Sequence, residues 1–164
     1  MFFPNLSGTM SPELQQQVVA SLGKAGAAFA ISFAAIGSAL GTGVAGMAAV
    51  IAWKKCYAQK KMAPFMLVAF VGAPLTQTIY GMIVMRSILD TVAAGTVMYH
   101  NPLLGGLVAG IAIGMSALMQ GRAGAGASDA LAETGKGFVN YLMVLGVIET
   151  VALFVMVFIT NAVT

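Results

Sequence analysis

The chain has 164 residues, of which 59% are hydrophobic and 8% charged, and its mean hydropathy is +0.92. A soluble domain carries about 25% charged residues, so this composition excludes one and describes an integral membrane protein. A net charge of +3 is too small and too scattered for a nucleic-acid partner, and the single cysteine, Cys56, excludes a disulfide framework or a thiolate metal cluster.

The first residues, "MFFPNLSGTMSPELQQQ", have no basic stretch followed by an apolar run, so they do not read as a signal peptide. Residues 1–20 are expected to be an N-terminal extension, with targeting left to the first apolar helix. Crossing a bilayer takes about 20 apolar residues, and four stretches qualify: residues 26–53, 63–89, 102–127 and 137–160. Polar breaks separate them. The first, "KKCYAQKK", carries Lys54, Lys55, Lys60 and Lys61. "YHNP" ends in a proline suited to the first turn of the next helix. "SDALAETGK" is polar and contains Gly135. The predicted fold is an all-α membrane protein of two helical hairpins, residues 21–91 and 92–164. Lysine-rich loops stay in the cytoplasm. Loops 54–62 and 128–136 are therefore expected there, the latter with Lys136, and both termini on the far side. Arg86 and Asp90, near that far end of the second helix, read as a snorkelling interfacial pair.

Twenty glycines are concentrated in the first and third helices, as in "ISFAAIGSALGTGVAG" and "GIAIGMSALMQGRAGAGAS". Small residues let neighbouring backbones approach closely. The second and fourth helices are bulky. Thin helices inside and bulky helices facing lipid suit a homo-oligomeric ring; a compact monomeric bundle is the alternative. An internal repeat supports the hairpin pairing. "SALGTGVAGMAA" from Ser38 aligns with "SALMQGRAGAGA" from Ser116, and "LTQT" ending at Thr78 aligns with "VIET" ending at Thr150. Gln77 then stands where the second hairpin has Glu149.

A carboxylate at the centre of a membrane helix costs roughly 2.5–3.5 kcal/mol on insertion scales, so Glu149 reads as a functional residue. Thr76, Gln77 and Gln120 share its depth. Gln120 and Glu149 are equidistant from the turn at Thr134–Gly135, and the repeat sets Gln77 level with Glu149. Taken singly, the glutamines read as interhelical hydrogen-bonding groups, and Thr76 as bonded to a carbonyl one turn back. Taken together, they leave two chemistries open. A proton carrier needs only Glu149. A small hard cation needs several oxygens, which the carboxylate, two amides, a hydroxyl and a backbone carbonyl supply. Pro74 removes a helix hydrogen bond and distorts the preceding turn, which favours the Ala73 carbonyl as that last oxygen.

On "PLTQTIYG", "SALMQGR" and "VIET", the chain from about residue 26 to 160 resembles the proteolipid subunit of V-type and A-type rotary ATPases, most of all the bacterial sodium-translocating kind. The resemblance implies a Na+ site made by the Ala73 carbonyl, Thr76, Gln77, Gln120 and Glu149, with Tyr80 holding the carboxylate. The chain departs from that pattern at Leu75, where the pattern has glycine, and residues 1–17 have no counterpart in it. The resemblance further implies a rotor ring of identical copies in a bacterial or archaeal plasma membrane. Its partners are a stator membrane subunit with a fixed arginine and central-stalk subunits on the cytoplasmic side. ATP is handled in a separate head, since this sequence has no Gly-rich phosphate loop and no catalytic constellation. Three rivals are weighed. One is the same rotor carrying H+, against which Thr76, Gln77 and Gln120 argue. Another is a small drug/proton antiporter, whose site would be lined with aromatics, where only Tyr80 is near. The last is a structural proteolipid, for which Glu149 has no use.

Overall fold

The computed structural model describes residues 11–95 and 101–163, and among these there is no strand. The helices are α1 (Pro12–Ala58), α2 (Leu67–Gly72), α3 (Thr76–Ala94), α4 (Asn101–Thr134) and α5 (Phe138–Val163), with a 3-10 turn at Ala73–Leu75 between α2 and α3. The second apolar stretch is therefore one broken span, Leu67–Ala94, and four spans in all are long and apolar enough to cross a bilayer. The protein is an all-α, multi-pass membrane protein.

Three boundaries differ from the sequence reading. The loop expected at 54–62 begins only after Ala58, where α1 ends. The N-terminal extension expected over 1–20 is helix from Pro12 onward, and its residues 1–10 lie outside the described residues. Ser11 sits in extended conformation and its hydroxyl accepts from the Leu14 N–H at 3.3 Å. Pro12 and Glu13 complete a helix start. The loop expected at 128–136 is mostly helix, because α4 continues to Thr134. Its polar residues are compatible with helix and are used. The Ser128 hydroxyl bonds back to the Gly124 carbonyl, Leu131 is buried, and Lys55 donates to Asp129 at 2.7 Å with Glu133 at 3.9 Å. Thirty-four residues of helix rise about 51 Å, more than a hydrocarbon core of about 30 Å, so α4 carries these charges beyond the lipid. The turn itself is only residues 135–137, where Gly135 and Gly137 take positive φ of 65° and 90°. Arg86 and Asp90 are both exposed and form no ion pair with each other.

The thin helices pack on each other as read. α1 and α4 run parallel in backbone contact, Gly26 against Gly106, Phe29 against Gly110, Gly37 against Gly114 and Gly41 against Gly121. A methyl group on Gly121 would lie 2.1 Å from the Gly41 carbonyl oxygen. Antiparallel α3 brings Gly81 against Ala34 of α1, and Pro74 lies against Gly41, which also meets Ala117 of α4. Two apolar clusters result. One holds Ala30, Ala34, Val84, Ile88, Ile113 and Ala152. The other holds Ala49, Leu67, Phe70, Leu131 and Leu145, with Phe138 and Tyr141 beside it. The level between them, residues 38–42, 74–77, 116–120 and 148–149, is left to polar groups. α5 exposes Met143, Val147, Phe154 and Phe158, a surface suited to lipid.

Because the obstacle at Gly121 is backbone, Gly121→Ala is expected to destabilise the protein by ~1–3 kcal/mol through overpacking. Thermal unfolding of the detergent-solubilised protein checks this; an unchanged midpoint would show that α1 and α4 are not in backbone contact.

Candidate functional site

Pro74 has no N–H to give to the helix ladder. The chain tightens into the 3-10 turn there, and the Thr76 N–H bonds to the Ala73 carbonyl three residues back. That carbonyl also lies 3.0 Å from the Thr76 hydroxyl, which is 3.1 Å from Gln77 Oε1. The Thr76 N–H serves the Ala73 carbonyl, which leaves the hydroxyl hydrogen for Gln77 Oε1, so three oxygens stand together at one place.

Gln77 and Gln120 are fully buried. Gln77 Nε2 donates to Gln120 Oε1 at 2.7 Å. Gln120 Nε2 donates to the Leu145 carbonyl at 3.0 Å and to Glu149 Oε2 at 3.1 Å. The other carboxylate oxygen, Oε1, accepts from the Tyr80 hydroxyl at 2.6 Å. One unbroken chain of hydrogen bonds therefore runs from Ala73 through Thr76, Gln77 and Gln120 to Glu149 and Tyr80. It joins three spans and contains every side chain the sequence reading selected. Pro74 is buried and shapes the turn. Leu75, the departure from the resembling pattern, is 54% exposed and turned to the outside.

Both oxygens of Glu149 are thus within hydrogen-bond distance of a partner. The ion pairs among the described residues are those of Lys55, so no cationic side chain pairs with Glu149. The site is a half-buried carboxyl group beside the neutral oxygens of Ala73, Thr76 and Gln77. Such an arrangement can hold a small cation or a proton.

Sequence reasoning missed two partners. The Ser116 hydroxyl donates to the Ile148 carbonyl at 3.0 Å, pinning the turn of α5 just before Glu149. The Leu145 carbonyl orients the Gln120 amide. Ser116 was visible as the repeat partner of Ser38, but no sequence signal marks its acceptor.

Residues 103–159 match the family model of the ATP synthase C-subunit. That span is α4 and α5, the hairpin that carries Ser116, Gln120 and Glu149. No curated protein matches the chain. Members of this family are ring-forming helical hairpins, non-catalytic proteolipids of ion-translocating ATPase complexes. The match makes the second hairpin similar to a c-subunit proteolipid of the F-, V- or A-type ATPases. The first hairpin lies outside the match and joins it through the internal repeat and the shared site.

Gln120→Leu keeps the volume but leaves the buried Gln77 Nε2 without its acceptor and takes one donor from Glu149. It is expected to lower stability by ~1–3 kcal/mol, read as a lower thermal midpoint in detergent. No change would mean that the buried chain of bonds is not formed.

Proposed function

We propose that this chain is the rotor subunit of a V- or A-type rotary ATPase and carries one Na+ per protomer on Glu149. What supports sodium over a proton is the oxygen group at Ala73, Thr76 and Gln77. A proton carrier needs only the carboxyl group, whereas a hard cation replaces its hydration with several such oxygens. The carboxylate cancels the single charge, so the loaded site is neutral and can pass through lipid.

In this reading identical copies close into a ring, with α1 and α4 as the inner circle and α5 outward. A stator membrane protein strips the ion with a fixed arginine and admits another. The lysine-rich segment 54–62, the end of α1 and the turn after it, faces the cytoplasmic central stalk of a plasma-membrane complex, with both termini on the far side. The second hairpin's match to a family of ion-translocating rotors supports this role.

Glu149→Gln keeps shape and hydrogen bonding but loses the balancing charge. A complex built from it is expected to assemble and to have no ATP-driven sodium uptake; uptake at the wild-type rate would refute the assignment of Glu149.

Carbodiimide attacks the protonated acid, and sodium competes with that proton. Sodium is expected to protect Glu149 from labelling, and to do so more effectively as pH rises, because binding needs the ionised carboxylate. In Gln77→Ala or Gln120→Ala, half-protection should need at least about tenfold more sodium, a loss of ~1.4 kcal/mol, while labelling persists. If wild-type labelling is indifferent to sodium at every pH, the rotor carries protons.

A further inference from the structure

Two buried hydroxyl oxygens, Ser38 Oγ and Thr42 Oγ1 on α1, have no hydrogen-bond partner. Hydroxyls within helices ordinarily bond to a carbonyl one turn earlier. Ser21, Thr91, Ser128 and Thr160 do so here; Ser38 and Thr42 do not. Buried polar groups are nearly always satisfied by protein or by an ordered water, so this pair calls for a partner.

Their position says what it serves. Ala34 points at Gly81 of α3, and Gly41 meets Pro74. α1 and α3 are antiparallel, so one turn on from Ala34 brings Ser38 level with Gln77, and the next brings Thr42 level with Ala73. Ser38 is 2% exposed and continues the buried face of Ala30 and Ala34. The two hydroxyls therefore flank the oxygen group from the α1 side. The internal repeat agrees: Ser38 corresponds to Ser116 and Thr42 to Gln120, the two α4 residues that bond around Glu149.

We propose that Ser38 and Thr42 hold a water molecule at the ion site. The inference rests on the sodium reading above. The Ala73 carbonyl and Gln77 Oε1 each accept once from Thr76 and keep a second lone pair. A water donates its two hydrogens to those lone pairs and accepts from the α1 hydroxyls. When a cation enters, the water turns a lone pair to the ion and its hydrogens to the α1 hydroxyls, which rotate to accept them. Ser38 and Thr42 are then positioning residues that act through that water in both states.

The test is sodium protection of Glu149 against carbodiimide in the purified full-length protein at fixed pH. Thr42→Val keeps the shape and removes the hydroxyl; Ser38→Ala is the smaller change and serves if Thr42→Val does not assemble. Each is expected to raise the sodium needed for half-protection about fivefold, the loss of one hydrogen bond, while Glu149 is still labelled in the absence of sodium. Thr42→Ser, which keeps the hydroxyl, should behave as wild type. If Thr42→Val and Ser38→Ala keep the wild-type sodium requirement while Gln120→Ala raises it, the water site is refuted and the sodium reading stands. If Thr42→Ser is as weak as Thr42→Val, packing and not the hydroxyl is responsible, and the proposal fails. Wild-type labelling indifferent to sodium overturns both.

Discussion

The pairing of Glu149 with Tyr80 and Gln120 governs how the rest of the chain is built. A carboxylate among apolar residues must be given donors or it forfeits its solvation. Those donors come from two other spans, at 2.6 and 3.1 Å. Three helices must therefore converge at one depth with room for long side chains between them. Glycines meet that demand by letting α1 and α4 touch backbone to backbone. The apolar clusters above and below then close the layer from both ends.

Pro74 plays the complementary part. A continuous helix would lock each carbonyl of the second span into its own ladder. Breaking the ladder at 73–75 re-aims one carbonyl and brings the Thr76 hydroxyl and the Gln77 amide oxygen beside it. The break costs helix stability, and buried Pro74 packed against Gly41 holds the distorted turn in place. Anion and oxygens thus come from different hairpins, and Gln120 joins them.

Much of this was legible in the sequence because a membrane allows few architectures. With every backbone group needing an internal partner, an apolar stretch of sufficient length is a helix, and equal spacing from a turn fixes equal depth. Glu149, Gln120, Gln77 and Thr76 were found that way, and the structure brings them into one bonded chain. The helix ends were less legible. Hydropathy marks where lipid ends, whereas "SDALAET" and "SPELQQQ" are polar and still helical, because a helix does not stop where the bilayer does. The Arg86–Asp90 spacing suggested a pair, but an exposed pair gains too little to hold two long side chains together. The Ser116–Ile148 bond needed coordinates, since backbone acceptors leave no mark in a sequence.

The repeat raises the question of why there is one carboxylate and not two. Gln77 occupies the place of Glu149 in the first hairpin, yet it is not a second, idle site. Its amide reaches across to Gln120, so both halves of the duplication serve a single centre. A glutamate there would put two carboxylates on one buried hydrogen-bond chain, and like charges so close force one to stay protonated. A neutral amide gives an oxygen without that conflict. Tyr80 follows the same logic: its repeat counterpart is Ala152, and Tyr80 packs against the cluster to which Ala152 belongs. The second hairpin thus carries the carboxyl group, and the first supplies neutral oxygens and a hydroxyl donor. That division makes one singly charged site from two hairpins, and it ties the two halves together at the depth where the membrane gives least help.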